Sequence, residues 1–292
     1  MADRPAPRPV VSGAQQPRAV SLGAYYPDDG DARRPAAVAV VMPTVVRPAI
    51  ADALRSIYNQ AMTAPIQVVI GIDVARGESG PLLQAIAGRP AHVSVMVLRL
   101  PFSTSVRHGG VHLAMDGGAL RSILSLMANS RFVAYLDDDN VYLPDHLPAL
   151  LDAVRDKAWA GCRRMMVDAE SGEQLGVDVW DSVGPGLGRF ARTGGFVDTN
   201  CLLVDKVKLS QALARWSSGG VDKPSFEADK NFFRAIAPHP HLLLEAASVI
   251  YKVRRNNILH RFATSGRAPF PAPGTDAAAG PGAQAGARVG RS

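Results

Sequence analysis

The sequence predicts an α/β protein with a mainly parallel sheet and helices on its faces. Continuous runs of β-branched and other apolar residues recur along the chain, which is typical of strands buried on both faces. Each of the first runs is followed by a segment in which apolar residues have helical spacing. Alternation of strands and helices in this order implies parallel strands joined by crossover helices.

Four strands and three helices are predicted in the first half. The run AAVAVVMPT at 36–44 is apolar almost throughout and predicts the first buried strand. In the next segment, Ile50, Leu54 and Ile57 lie at helical spacing. The later elements of this half are the strands at 66–73, 92–101 and 131–139 and the helices at 80–88 and 118–130. We expect a Rossmann-like sheet, and such sheets bind ligands at the carboxyl ends of their strands.

The second half is less regular. The segments WAGCRRMMVD (159–168) and TNCLLVDK (199–206) are typical of strands, and FEADKNFFRAIA (226–237) of a helix. A glycine-rich stretch at 181–195 lies between the strands and predicts a loop.

Both ends of the chain differ from this folded part in composition. Residues 1–36 contain six prolines and have no hydrophobic period, and residues 264–292 are rich in Ala, Gly and Pro. Segments of this kind bury too little apolar surface to fold. We therefore expect disordered tails at 1–36 and 264–292 and one folded domain at 37–263.

Composition narrows the function classes. The 292 residues are 47% hydrophobic and 20% charged, which is enough apolar material for a substantial core. The net charge of +6 is spread out, without a basic block or interleaved aromatic residues, so nucleic acid is not an expected partner. The sequence contains no recognisable signal peptide or transmembrane segment. We therefore expect a cytoplasmic protein, which at most associates with the inner face of the membrane.

Three consecutive aspartates follow the fourth predicted strand. Adjacent carboxylates at a strand end repel each other unless a cation shares them. On an extended chain Asp137 and Asp139 project to the same side and Asp138 to the other. Oxygen ligands of this kind suit Mg²⁺ or Mn²⁺ held together with substrate phosphates, although a solvated acidic turn would also explain the triplet.

Several segments together resemble the family 2 glycosyltransferases of the GT-A fold. VVMPTVVRPAIADALRSIYNQ is similar to the first strand and helix of that family, and VVIGID to its second strand with a closing Asp. GALRSILSLMANSRFVAYLDDDN resembles its helix and Asp-x-Asp metal motif, and FEADKNFFRAI the later segment with the catalytic base. The resemblance covers about residues 38–236. It differs in having DDDN for the usual Asp-Ala-Asp-Asp, a form similar to that of glucuronyltransferases, and Glu-Ala-Asp for the usual Glu-Asp.

The resemblance implies roles for individual residues. Asp139 would ligate the metal, and Asp229 would take the proton from the acceptor hydroxyl, with Glu227 as the other candidate for the base. Asp198 is a candidate for contact with the acceptor. The residues expected at the nucleotide-sugar donor are Pro43, Thr44, Arg47, Asp73, Arg121, Asp137 and Asp138, of which Asp73 would hold the uracil or ribose.

The implied activity is a metal-dependent, inverting transfer of a sugar from a nucleotide-sugar to an acceptor hydroxyl. Mn²⁺ or Mg²⁺ is the expected cofactor, a UDP-sugar the expected donor, and a glycan or lipid-linked saccharide the expected acceptor. Related enzymes sometimes have a histidine metal ligand late in the chain, which makes His260 a candidate ligand. Nearby Lys252 and Arg254 would hold the diphosphate, or the stretch is a solvated basic segment.

Two other features have ordinary explanations. GPGLGRF, at 184–190, does not link a clear strand to a helix, so it is interpreted as a loop over the substrates or a plain surface loop. His108, His112 and Asp116 have i, i+4 spacing, but intervening glycines disfavour a helix, and we expect an ordinary loop.

Two alternatives to a glycosyltransferase remain. A nucleotidyltransferase would need a glycine-rich basic loop after the first strand, where this chain has PTVVRP. A nucleotide-sugar-binding protein of the same fold without turnover is the second alternative, because fold alone does not establish activity.

Overall fold

The computed structural model describes residues 21–27, 31–74, 79–219, 223–255, 257 and 259–260. Its strands are β1 (Ser21–Tyr25), β2 (Val38–Thr44), β3 (Ile66–Ile72), β4 (Val93–Arg99), β5 (Phe132–Tyr135), β6 (Val141–Tyr142), β7 (Trp159–Asp168), β8 (Gln174–Val177), β9 (Gly184–Pro185), β10 (Gly195–Phe196), β11 (Leu202–Asp205) and β12 (His241–Val253). Its α-helices are α1 (Ile50–Tyr58), α2 (Gly80–Ala87), α3 (Gly118–Met127), α4 (His146–Val154) and α5 (Ala228–Ile236). Short 3₁₀ helices cover Val106–His108, Gly188–Thr193, Thr199–Cys201 and Leu213–Ser217.

One large sheet has the strand order β1-β4-β3-β2-β5-β11-β7-β12-β6, with β8 paired to β7. The four strands β4, β3, β2 and β5 are parallel, which confirms the predicted α/β fold. Beyond β5 the sheet is mixed, because β11 is antiparallel to both β5 and β7 while β12 is parallel to β7. β9 and β10 form a separate two-stranded ribbon within the glycine-rich stretch.

The core lies around the parallel strands. All seven residues of β3 are buried, as are the first five of β2, and α3 packs on these two strands. Gly71 of β3 makes this packing possible, because a Cβ there would lie 2.7 Å from the Leu124 side chain of α3. Burying each Val or Ile in such strands contributes about 1.5–3 kcal/mol.

One expectation about the tails needs correction. Residues 21–25, assigned to a disordered tail at 1–36, form β1, which pairs antiparallel with β4 from Ser21 opposite Arg99 to Tyr25 opposite Val95. The strand extends the sheet at one edge through backbone pairing with β4, although its side chains are exposed or only half-buried. Residues 1–20 and 261–292 lie outside the described residues.

None of the helices in the described part of the chain is both long and apolar enough to span a bilayer. The longest of them, α3, has ten residues.

Candidate active site

A cavity of about 860 Å³ lies at the carboxyl ends of β2, β3 and β5. This is the edge of the sheet where the sequence predicts ligand binding. The predicted site residues that line it are Pro43, Thr44, Arg47, Asp73, Arg121, Asp137, Asp138, Asp139, Asp198 and Asp229.

Each aspartate of the acidic triplet is paired with a different arginine. Asp137 forms an ion pair with Arg121 of α3, and Asp138 with Arg47 of the loop after β2. Arg254, directly after β12, donates to Asp139 Oδ2 at 2.6 Å. Three guanidinium groups therefore offset three adjacent carboxylates, which explains how the triplet is held together in the protein itself.

Asp138 is the buried member of the triplet and faces the loop after β2. Its Oδ2 accepts a hydrogen bond of 2.5 Å from Thr44 Oγ1, and Thr44 Oγ1 in turn accepts from the Val46 N–H at 2.7 Å. Val46 is buried and has φ of +60°, an unfavourable backbone conformation for a β-branched residue. These contacts hold the loop in a strained turn that places Arg47 against Asp138.

Asp137 is held by Asn200, from the segment directly before β11. The Asp137 N–H donates to Asn200 Oδ1 at 2.7 Å, and Asn200 Nδ2 donates to Asp137 Oδ2 at 3.1 Å. Asn200 Nδ2 also donates to Asp198 Oδ1 at 2.7 Å. The other carboxylate oxygen of Asp198, Oδ2, accepts a hydrogen bond of 2.6 Å from Arg164 Nη1. Both carboxylate oxygens of Asp198 thus contact protein groups, and these contacts orient Asn200 toward the triplet.

Arg164 connects three carboxylates in the interior beside the cavity. Its guanidinium donates to Asp178 at 2.9 Å and to Asp181 and Asp198 at 2.6 Å each, and it lies over the ring of Tyr251 at 4.3 Å. Its side chain is only 1% exposed. The surrounding carboxylates outweigh the effect of burial and raise the pKa of Arg164 well above its usual value. The cluster fixes this wall of the cavity.

Asp139 is the triplet residue whose environment best suits a cation. Burial raises its pKa, and the charge of Asp137 raises it further, although Arg47 and Arg254 oppose this. Its side chain is 21% exposed, and its Oδ1 makes no hydrogen bond within the described part of the chain. A hard oxygen ligand facing the cavity fits Mg²⁺ or Mn²⁺. No group of three or more His, Cys, Asp or Glu among the described residues could hold a metal ion, so substrate oxygens would have to complete the coordination.

His260 is not brought to the aspartates. Its Nε2 lies 3.3 Å from Oδ2 of Asp168, at the end of β7, and His260 does not belong to the cavity lining. The neighbouring Leu259 lines the cavity instead. Of the basic residues in this stretch, Arg254 is the one that contacts Asp139.

Asp73 lies at the end of β3 with one carboxylate oxygen available. Its Oδ2 accepts a hydrogen bond of 3.1 Å from Ser103 Oγ, while its Oδ1 is buried and has no hydrogen-bond partner within the described residues. An unpaired buried carboxylate oxygen is costly and indicates a place for a donor group of a ligand.

Asp229 lies in the first turn of α5 and faces the cavity, as expected. Burial and, next, the charge of Asp116 raise its pKa to about 7. Glu227, the other candidate base, does not line the cavity, and its carboxylate lies 3.8 Å from Lys230. A carboxylate with its pKa near neutrality can accept a proton from a substrate in this position.

Several residues of the cavity were not predicted from the sequence. Asp116, which was expected in an ordinary loop, lies at the wall next to α5. The glycine-rich stretch contributes Arg189 and Phe190, and the Arg189 guanidinium lies 4.4 Å from the Phe190 ring centroid. Neither the spacing nor the type of these residues marks them in the sequence, since they reach the cavity only through long-range packing.

The strand order and the cavity at the strand ends define a fold of the GT-A type. Neither a protein-family model nor a curated protein sequence matches the chain. Solved structures share the fold: TarS 1-349 from S. aureus superposes with a TM-score of 0.53 at 13% identity, covering 74% of this chain and 60% of that one. Its complex with UDP gives the same TM-score and coverage at 14% identity.

A second solved structure with this fold is the mannosyltransferase PcManGT from Pyrobaculum calidifontis, in complex with GDP-Man and Mn²⁺. It superposes with a TM-score of 0.50 at 14% identity, covering 79% of this chain and 61% of that one. The chain therefore spans about three fifths of the length of the structures it resembles.

Proposed function

We propose that this protein is a glycosyltransferase that moves a sugar from a nucleoside diphosphate sugar to an acceptor hydroxyl, with inversion and with the help of a divalent cation. The observation that carries the proposal is one cavity with three features. It contains a buried, unpaired carboxylate oxygen of Asp73, the arginine-paired aspartate triplet, and Asp229 with its raised pKa. Such a cavity can hold a nucleoside, a diphosphate and a reacting hydroxyl.

The nucleoside end is assigned to Asp73 and the loop after β2. Asp73 Oδ1 can accept a hydrogen bond from a ribose hydroxyl or from the N–H of uracil. Pro43 and Thr44 line the same end of the cavity at the close of β2. The TarS structures in complex with UDP and UDP-GlcNAc make a UDP-sugar the first donor to test.

The diphosphate is assigned to the centre of the cavity. Arg47, Arg121, Lys252 and Arg254 line it and provide cationic groups for phosphate oxygens. Asp139 would hold Mn²⁺ or Mg²⁺ together with those oxygens. When bound, the cation would neutralise charge that develops on the leaving diphosphate.

The acceptor hydroxyl is assigned to the end of the cavity at Asp229. Asp229 takes the hydroxyl proton while the acceptor oxygen forms a bond to the anomeric carbon. The bond from that carbon to the diphosphate oxygen breaks, and its electron pair leaves with the nucleoside diphosphate. One base and a direct displacement give inversion without a covalent intermediate. Asp198 lies in the same wall, and a glycan or lipid-linked saccharide is the acceptor class we propose.

Calorimetric titration of UDP tests the donor site first. Binding is measured with Mn²⁺ and with EDTA, on the wild type, on Asp139→Ala and on the control Asp152→Ala, whose side chain is 74% exposed on α4. We expect metal-dependent binding in the wild type and the control, and its loss in Asp139→Ala. Absence of binding to UDP, GDP and dTDP alike would overturn the donor assignment.

A second measurement separates turnover from binding. UDP release is followed from UDP-sugars in the presence of saccharide acceptors, in the wild type and in Asp229→Asn. Binding without release by the wild type for any sugar and acceptor would favour a nucleotide-sugar-binding protein. Formation of pyrophosphate from a sugar phosphate and a nucleoside triphosphate would instead identify a nucleotidyltransferase.

A further inference from the structure

The loop before α3 is hydrogen-bonded to the segment before α5. The Met115 N–H donates to the Ser225 carbonyl at 2.9 Å, and the Ser225 N–H donates to the Leu113 carbonyl at 3.0 Å. Ala114 and Ser225 form a parallel β-bridge. This short pairing places Asp116, at the end of one segment, next to the start of the helix that carries Asp229.

The Asp116 side chain contacts that helix start. Its carboxylate lies close to the N–H of Ala228, the first residue of α5, and this N–H group opposes the rise in the pKa of Asp116. Its backbone carbonyl accepts from Arg121 Nη1 at 2.7 Å. A carboxylate near a helix N-terminus interacts favourably with the helix dipole. Asp116 therefore joins the first turn of α5 to the arginine that pairs with Asp137.

Asp116 also has a carboxylate oxygen that the protein does not use. Its Oδ1 is buried and has no hydrogen-bond partner in the described part of the chain. Burial raises the pKa of Asp116, and the Arg121 charge only partly opposes this. A buried acid that is left partly unsatisfied beside a cavity destabilises the fold, which indicates a functional reason for its presence.

We infer that Asp116 is a positioning residue for Asp229: it holds the first turn of α5 against the cavity and sets a second carboxylate beside the base. The inference rests on the proposed function, in which Asp229 accepts the acceptor proton. Like charges that share a site make the second carboxylate a stronger base. A stronger base removes the hydroxyl proton more readily.

Other charged groups also act on Asp229. Asp198, from the segment before β11, raises its pKa, and Lys230, its neighbour on α5, lowers it. Arg121 of α3 interacts with Asp229 as well. Arg215, on the 3₁₀ helix packed against α5, is exposed to solvent. Burial raises the pKa of Asp229 most, and the charge of Asp116 has the next largest effect. Removing the charge of Asp116 should therefore change the pKa of Asp229 more than removing any other single charge.

Two substitutions separate the two parts of this role. Asp116→Asn keeps a polar side chain of the same shape near the Ala228 N–H but removes the charge. Asp116→Ala removes both. Titration of Asp229 is followed by NMR of protein labelled with ¹³C at the aspartate carboxyl carbons, in EDTA, with its signal assigned by its absence in Asp229→Asn. This measurement needs no substrate, so it is independent of whether transfer is found.

We expect Asp229 to titrate near pH 7 in the wild type and about one pH unit lower in Asp116→Asn. The control Asp152→Asn should leave the titration unchanged. With an active donor and acceptor pair, the midpoint of kcat/KM against pH should move down with the NMR midpoint. Asp116→Ala should in addition lower kcat, by about tenfold, because the first turn of α5 loses the polar side chain that lies beside its N-terminus.

An unchanged Asp229 midpoint in Asp116→Asn would overturn the inference, as would a loss of rate that is equal at every pH. Failure of both variants to fold would overturn it too, in favour of an essential structural role. Failure of the proposed function has a different signature: Asp229 still titrates at lower pH in Asp116→Asn, but the wild type transfers no sugar.

Discussion

Replacing Asp229 with Asn should abolish catalysis and at the same time stabilise the protein above neutral pH. Asn has nearly the same shape but cannot accept a proton, so we expect the transfer rate to fall by about 10²–10⁴-fold. The stabilisation follows from the raised pKa. Burial and the nearby Asp116 make the charged form of Asp229 unfavourable in the folded protein, and Asn has no charge there.

The sign and size of the stability change follow from linkage. The pKa of Asp229 is 3.8 in an unperturbed chain and about 7 in the folded protein, so the folded state holds the proton more tightly. Below about pH 4 the carboxyl group is protonated in both states and does not destabilise the folded protein. Between about pH 4 and pH 7 the destabilisation increases with pH, and above about pH 7 it stays constant. One pKa unit corresponds to about 1.36 kcal/mol, so the ionised Asp229 can lower the free energy of unfolding by at most about 4 kcal/mol. Asp229 borders the open cavity, and with solvent screening we expect about 1–3 kcal/mol.

Chemical denaturation of the wild type and Asp229→Asn at pH 4, 6 and 8 measures this effect. The variant should be more stable at pH 8 and equal to the wild type near pH 4, with thermal midpoints that differ by about 2–4 °C per kcal/mol. Asp152→Asn, on the exposed face of α4, should show no such pH-dependent difference. A variant no more stable than the wild type at pH 8, or one retaining a tenth of the activity, would refute the reasoning.

Three further substitutions test other parts of the site. Asp73→Asn should weaken UDP binding about tenfold in calorimetry, because a carboxylate oxygen without a protein partner is replaced by an amide; unchanged affinity would contradict its role. Arg164→Met should lower the free energy of unfolding by about 3–5 kcal/mol, since it leaves the buried carboxylates around Arg164 without their cation. An unchanged free energy of unfolding would show that these carboxylates do not need the arginine. Gly118→Ala should lower the free energy of unfolding by about 1–3 kcal/mol, because the added Cβ would lie 2.0 Å from the Trp216 carbonyl oxygen. The control Gly80→Ala, whose Cβ would have no atom within 4 Å, should not destabilise the protein. Equal effects of the two substitutions would exclude the clash as the cause.

The sequence predicted the parallel half of the fold because its signals are local. The first four parallel strands are continuous apolar runs, and β7 matches its predicted bounds of 159–168. β1 was missed because the segment around it is rich in proline and its strand has few buried side chains. β12 was missed because its partner β7 lies far away in the chain. The β9–β10 ribbon was missed because each of its strands has only two residues and lies in a glycine-rich stretch.

The sequence by itself determined where the carboxylates lie along the chain. Asp73 and the acidic triplet follow buried strands, and parallel strands necessarily end at one edge of the sheet. Their place in one cavity was therefore predictable from the order of the elements. The resemblance to a known family added Asp229, which the structure places in that cavity.

Only the tertiary structure decided which groups neutralise and tune those carboxylates. Arg254 reaches Asp139 from 115 positions away, and Arg47 reaches Asp138 from 91. Asp116 meets the start of α5 through a pairing of two loops, and His260 turns to Asp168 instead of the triplet. These contacts depend on strand order and on the path of loops between distant segments, which no local pattern of residues encodes.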